Sequence, residues 1–185
     1  KFIGAYFALA VALSACNNTV ATSDHGLSSK KETKNDNNND KEDEKVSKEE
    51  NQTQVLNDIS IEAEGGVEVY RVFLSYENGD LVPSDNSTAL GKPVYLNLNI
   101  TKGWKEEMGE VSIGASEKIS TDNETVVLDE PDLFKSYSSI SADDAKIIRL
   151  KAVVNSMSGP IKYFVVDYKV WDKNGDGVIK GSYRF

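Results

Sequence analysis

The chain reads as an all-β protein, an antiparallel sandwich of about seven or eight strands behind a disordered tether. Three observations carry that expectation. From Ser60 onward, β-branched and aromatic residues alternate with polar ones at a period of two. Clusters of Asn, Asp, Gly and Pro suited to tight turns separate these runs. Upstream, residues 30–51 mix Lys with Glu, Asp and Asn around a single aliphatic residue, Val46, and cannot bury enough apolar surface to offset their ordering entropy.

In chain order, residues 60–63 are the candidate eighth strand. Residues 67–76 form the first main strand, with Tyr70, Val72, Leu74 and Tyr76 on one face, and Glu77-Asn78-Gly79-Asp80 ends it with a turn suited to positive φ. After a polar loop through Pro93, Val94, Leu96, Leu98 and Ile100 alternate with Tyr95, Asn97 and Asn99, a strand with one packed and one wet face. Residues 110–119 place Val111, Ile113, Ala115 and Ile119 inward, and Thr121-Asp122-Asn123-Glu124 turns them back into residues 125–128 as a hairpin. The acidic connection 129–145 contains Ser141-Ala142-Asp143-Asp144, which caps one helical turn. Ile148, Leu150, Ala152 and Val154 alternate again, and Gly159-Pro160 breaks the chain. Residues 161–171 set Phe164, Val166, Tyr168 and Val170 on one side, and residues 178–185 close the domain. If consecutive strands run antiparallel, loops 101–109, 129–145 and 172–177 share one end with the incoming tether. Loops 77–93, 121–124 and 156–160 then share the other. In general arrangement the domain resembles immunoglobulin-like β-sandwich modules.

The N-terminus carries a different signal. Residues 2–13 are apolar, but a dozen residues fall short of the roughly 20 that span a bilayer, so they read as the core of a signal peptide with Lys1 as its positive end. Leu13-Ser14-Ala15-Cys16 follows, holding the one cysteine of the chain, which excludes an intrachain disulfide. This tetrad resembles the lipobox of bacterial lipoproteins. The resemblance implies that residues 1–15 are a class II signal peptide, that Cys16 becomes the lipidated N-terminus with palmitate among its acyl groups, that residues 16–59 are an acidic tether, and that residues 60–185 form the β-sandwich domain. The rival is an ordinary secretory signal cut after Ala15, leaving Cys16 free. Asn17 after the cysteine implies, by enteric-type sorting, the outer membrane, facing either periplasm or medium. As a flexible coil the tether spans roughly 35 Å, and fully extended at most about 145 Å.

Charge and composition narrow the chemistry. The net charge of −9 argues against a nucleic-acid partner. Residues 17–52 carry 6 Lys against 9 acids, and residues 53–185 carry 14 Lys and Arg against 21 acids, so neither part is basic. His25 stands alone in the tether among polar residues and reads as solvated. With no His or Cys in the domain, Ser-His-Asp and Cys-His systems and the usual zinc sites lack their parts. A carboxylate pair for glycoside hydrolysis has no distinguishing mark, and no Gly-rich loop links a strand to a helix for phosphate binding. The expectation is a non-catalytic binding or accessory module for a protein partner, with no cofactor beyond a candidate calcium ion.

Two motifs offer alternatives. Asp172-Lys173-Asn174-Gly175-Asp176-Gly177-Val178-Ile179 resembles the first half of an EF-hand loop, with Asp172, Asn174 and Asp176 as candidate calcium ligands. Lys180 and Tyr183 then stand where later ligands belong, and Asn174-Gly175 and Asp176-Gly177 equally suit a plain hairpin turn. Asp129, Glu130, Asp132, Asp143 and Asp144 are the acids placed to complete such a site for calcium-assisted adhesion. Separately, Tyr95, Asn97, Asn99 and Trp104 form a candidate carbohydrate platform, an aromatic face with amides for hydroxyl groups. Against it, Trp104 also suits a plug at the open end of the sandwich, and Tyr95 an ordinary cross-strand pair. Trp171, ending its strand at the turn, reads as structural. The anchor is tested by radiolabelled palmitate: label enters the wild-type chain and is lost in Cys16→Ala, whereas a labelled variant contradicts lipidation there.

Overall fold

The period-two alternation becomes two large hydrogen-bonded sheets and a small third in the computed structural model, which describes residues 52–185. The signal segment, Cys16, Asn17, His25 and the tether through residue 51 lie outside the described residues. No helix among the described residues is long and apolar enough to cross a membrane. The strands in order are β1 (Gln54–Val55), β2 (Ser60–Glu64), β3 (Glu68–Ser75), β4 (Val94–Lys102), β5 (Glu106–Glu107), β6 (Glu110–Val111), β7 (Ile113–Thr121), β8 (Val126–Glu130), β9 (Ile140–Ser141), β10 (Ile147–Ala152), β11 (Phe164–Asp172) and β12 (Val178–Arg184). One sheet has the order β1-β3-β4-β10, the second β2-β12-β11-β7-β8, and a small third β5-β6-β9. Eight of these strands have five residues or more, in line with the sandwich expected, and the other four are two-residue segments.

Alternation supplies the core directly. Leu96 and Leu98 of β4, Ile148 and Leu150 of β10, Val166 and Val170 of β11, and Ile119 of β7 are buried in one hydrophobic cluster drawn from both sheets. The turns follow their residues. Gly79 adopts φ 89° between Tyr76 and Asp80, and Glu124 adopts φ 66° where β7 returns into β8. Ser141 Oγ accepts the Asp144 N–H at 3.0 Å and starts a single 3₁₀ turn, Asp144–Lys146, as the capping pattern anticipates.

The structure departs from the expected pattern in four places. The domain begins before residue 60: β1 pairs with β3, and it does so in parallel, unlike its neighbours. Thr53 Oγ1 donates to Val69 O at 2.7 Å, and Leu56 N to Val72 O at 2.9 Å. Asn57, at φ 61°, accepts from Leu74 N with its side chain and donates to Val82 O and Pro83 O. Backbone pairing and the polar side chains of Thr53 and Asn57 tie residues 53–57 down, with Ile59 buried in the core behind them, so a search for apolar runs reads the segment as tether.

Second, Tyr70 does not share a face with Val72 and Leu74. The β3–β4 register skips it, with Val69 opposite Ile100 and Arg71 opposite Asn99. This bulge puts Val69 and Val72 both inward and leaves Tyr70 49% exposed. Third, residues 110–119 are not one strand. The chain leaves the large sheet at Ser112, whose carbonyl accepts the Lys173 N–H at 2.8 Å, and β6 joins the small sheet instead.

Fourth, Glu117 occupies the core. Period two on β7 places it inward between Ala115 and Ile119, 2% exposed, directly across from Tyr168 on β11. Neither carboxyl oxygen has a hydrogen-bond partner among the described residues, nor has the hydroxyl of Tyr183 beside it. Desolvation pushes Glu117 from the ordinary 4.5 up to about 8, and burial, followed by the Glu117 charge, raises Tyr183 well above the phenol range. Glu117 is therefore neutral in the folded state near pH 7 and ionised in the unfolded one. Stability from this group is complete below pH 4.5 and falls as pH rises towards 8, at ~1.4 kcal/mol per pH unit. Denaturation across that window shows this decline in the wild type and a flatter profile in Glu117→Gln; an unchanged slope in the variant assigns the decline to other groups.

Candidate functional site

The candidate residues fall into two regions, one end of the sandwich and the outer face of the β3–β4–β10 sheet. At the end, Asp172 closes β11 on the inward register of Val166, Tyr168 and Val170 and is 5% exposed. Its Oδ1 accepts the Asn174 and Gly175 amides at 2.8 and 2.9 Å, and its Oδ2 accepts the Lys105 amide at 2.5 Å. Three N–H groups on one carboxylate fix the β11–β12 turn and pin it to the loop that follows β4. Three amides on one carboxylate are the arrangement of a tight turn. Asn174 and Asp176 are exposed. Asp132 pairs with Lys173 at 3.2 Å, and Asp143 with Lys146 at 2.7 Å. Among the described residues no group of three or more His, Cys, Asp or Glu is placed to hold a metal ion.

Trp104 belongs to the same end. Its Nε1–H donates to Ala145 O at 3.1 Å, and its ring packs against the core and against Gly177, where a Cβ would lie 3.1 Å from Trp104 Cε3. It is the plug of the sandwich rather than a displayed ring. The loops after β4, β8 and β11 do share this end, as strand alternation requires: Trp104 reaches Ala145, Lys105 reaches Asp172, and Lys173 reaches Asp132.

The outer face is built from three rows. Arg71, Asn99 and Ile147 lie opposite one another across β3, β4 and β10, then Phe73, Asn97 and Arg149, then Ser75, Tyr95 and Lys151. Tyr95, Asn97 and Asn99 thus share a face as expected, but Trp104 does not join them. It lies beyond the end of β4, past Gly103 at φ 114°, whereas Tyr95 is near the start of the strand. Tyr95 is itself 5% exposed because the Arg149 guanidinium lies 4.5 Å above its ring, so the ring is closed to a sugar. Asn97 is buried with its amide donating to Tyr95 O and Ser75 Oγ, both at 2.9 Å. Asn99 remains half-exposed and donates to Tyr70 Oη at 3.0 Å.

The residues this face adds are Arg71, Phe73, Arg149, Tyr70 and Ile147. Arg71 stacks over Phe73 with its guanidinium carbon 4.7 Å from the centroid. Both arginines are half-buried, and each has its Nε buried without a hydrogen-bond partner. Every ion pair among the described residues is made by lysine. The chain has three arginines, and each stacks on an aromatic ring instead, the third being Arg184 over Tyr163 at 5.0 Å. A planar, weakly hydrated guanidinium suits that use, whereas an ammonium favours point pairing. Sequence alternation marks Arg149 and Lys151 as outward positions, but the Arg149–Tyr95 stack depends on cross-strand register, which no local pattern reveals.

No family model matches this chain, and no curated protein sequence matches it. Among solved structures the chain is similar to one described as the crystal structure of the C-terminal domain of wzt, with 9% identity and a TM-score of 0.46 over 72% of this chain and 80% of that one.

Proposed function

We infer that the chain is a lipoprotein held at the outer membrane through Cys16, presenting a non-catalytic binding module to a protein partner by the outer face of β3, β4 and β10. The observation that carries this reading is the composition of that face. The nine outward positions of its three rows hold three cations and no carboxylate, and the one acid of β3, Glu68, is paired with Lys102 at 2.9 Å, in a domain with 21 acids against 14 basic residues. Two of the cations lie over aromatic rings, 4.7 and 4.5 Å from their centroids. Exposed Tyr70 and Ile147, 49% and 56% accessible, flank Asn99 in the row nearest the Trp104 end. Tyr and Arg beside an exposed aliphatic group are the side chains that dominate protein interfaces. The lipobox resemblance supports the location, and the absence of His and Cys from the domain supports a non-catalytic role.

The carbohydrate reading on Trp104 and Tyr95 has lost its two rings, one to the plug and one to Arg149. Against calcium-assisted adhesion through Asp172, Asn174 and Asp176 stands the use of the Asp172 carboxylate as acceptor for three backbone amides. A photoreactive phenylalanine analogue placed at residue 70 or 147 of the full chain, in the cells that make it, yields a discrete protein adduct. The same probe at Val126, exposed on β8 of the other sheet, does not. Adducts from position 126 alone, or none from 70 and 147, contradict this use of the face.

A further inference from the structure

The inference rests on the binding face argued above and names what that face takes. We propose that it binds an acidic, extended segment of a partner protein, whose carboxylates engage Arg71 and Arg149 while its apolar side chains settle between Tyr70 and Ile147. Charge complementarity is the first argument. No carboxylate lies in its three rows although the domain is strongly acidic, and Glu68 at the end of β3 is taken by Lys102, so its two guanidinium groups are free of internal ion pairs while lysines satisfy the acids. Stacking on Phe73 and Tyr95 removes much of the rotamer freedom that an arginine otherwise loses on binding, so both groups are pre-organised.

Spacing is the second argument. Arg71 on β3 and Arg149 on β10 straddle β4 one row apart, which separates their Cα atoms by about 12 Å, two strand spacings across and two residues along. In an extended peptide, residues four apart lie on the same side at about 13 Å. Two acids at that interval meet the two arginines on a diagonal across Asn97 and Asn99. Chemistry selects a protein over a glycan, because Tyr95 is covered by Arg149 and the half-buried Trp104 packs at the end of the sandwich, so these two rings do not form a stacking pair on this face. The net acidity of the domain disfavours nucleic acid, whose charge is denser.

The test uses the full chain and a short fluorescein-labelled poly-L-glutamate, read by fluorescence anisotropy at low salt, with a charge-matched oligogalacturonate as competitor. Wild type binds poly-glutamate, and Arg71→Gln with Arg149→Gln weakens it by about tenfold or more. Arg184→Gln, on the other sheet, leaves it unchanged, and Arg71→Lys with Arg149→Lys restores part of it. Equal melting temperatures show that the variants fold. Wild-type affinity in the double Gln variant overturns the proposal, as does preference for oligogalacturonate. Arginine-dependent self-association in sedimentation assigns the face to a second copy and overturns it too. Adducts from positions 70 and 147 that persist while poly-glutamate is ignored leave the face standing and remove only the acidic segment; loss of both removes the face.

Discussion

The carboxylate of Asp172 holds the two sheets in register at one end of the molecule, and much of the remaining structure depends on it. It accepts two amides from its own turn and one from Lys105, which follows the last residues of β4, so a single charged acceptor links the β11–β12 hairpin to the opposite sheet. Hydrogen bonds to a charged acceptor contribute roughly 1.5–3 kcal/mol each, well above a neutral pair. Around this clasp, Lys173 N binds Ser112 O and peels β6 away from the large sheet, and Trp104 seals the space beneath. Gly103, at φ 114°, and Gly177 allow the backbones to approach where any side chain would collide.

Against that clasp stands a cost inside the same sandwich. Glu117 is aimed into the core opposite Tyr168 with no donor or acceptor to meet it, and it tolerates that position only as a neutral acid. The exposed lysine–carboxylate pairs, such as Lys102–Glu68 and Lys105–Glu107, contribute little in water. The fold is thus held by apolar alternation and by one buried carboxylate that accepts three amides, while the surface ion pairs chiefly occupy the lysines. Two of the three arginines, Arg71 and Arg149, are left for the outer face of β3–β4–β10.

What was legible in the chain follows from what is local. The strand from Val94, the hairpin through Thr121–Glu124, the Ser141 cap and the long β11 are written in period and turn chemistry, which act over a few residues. The misreadings are non-local or turn on a single residue. One extra residue at Tyr70 changes the inward spacing from two to three, and no alternation rule anticipates a bulge. The Gln54–Val55 strand is tied down by Thr53 and Asn57 side chains, invisible to a search for apolar runs. Glu117 sits in the inward register of β7, and a carboxyl there is discounted because it is expected in solvent. The EF-hand-like residues are real as a turn, and their first carboxylate accepts two amides of that turn and one from Lys105, 67 residues away in sequence. The arginine stacks required the pairing of β4 with β10.

The central claim is that Arg71 and Arg149 form a pre-organised anion-binding pair on one face while Arg184 does not. With only three arginines in the chain, their Nε–H resonances can be assigned individually in an isotope-labelled sample. On titration with poly-L-glutamate, the account predicts shifts confined to Arg71 and Arg149, saturating together. Equal movement of all three signals, or movement of Arg184 alone, would contradict it.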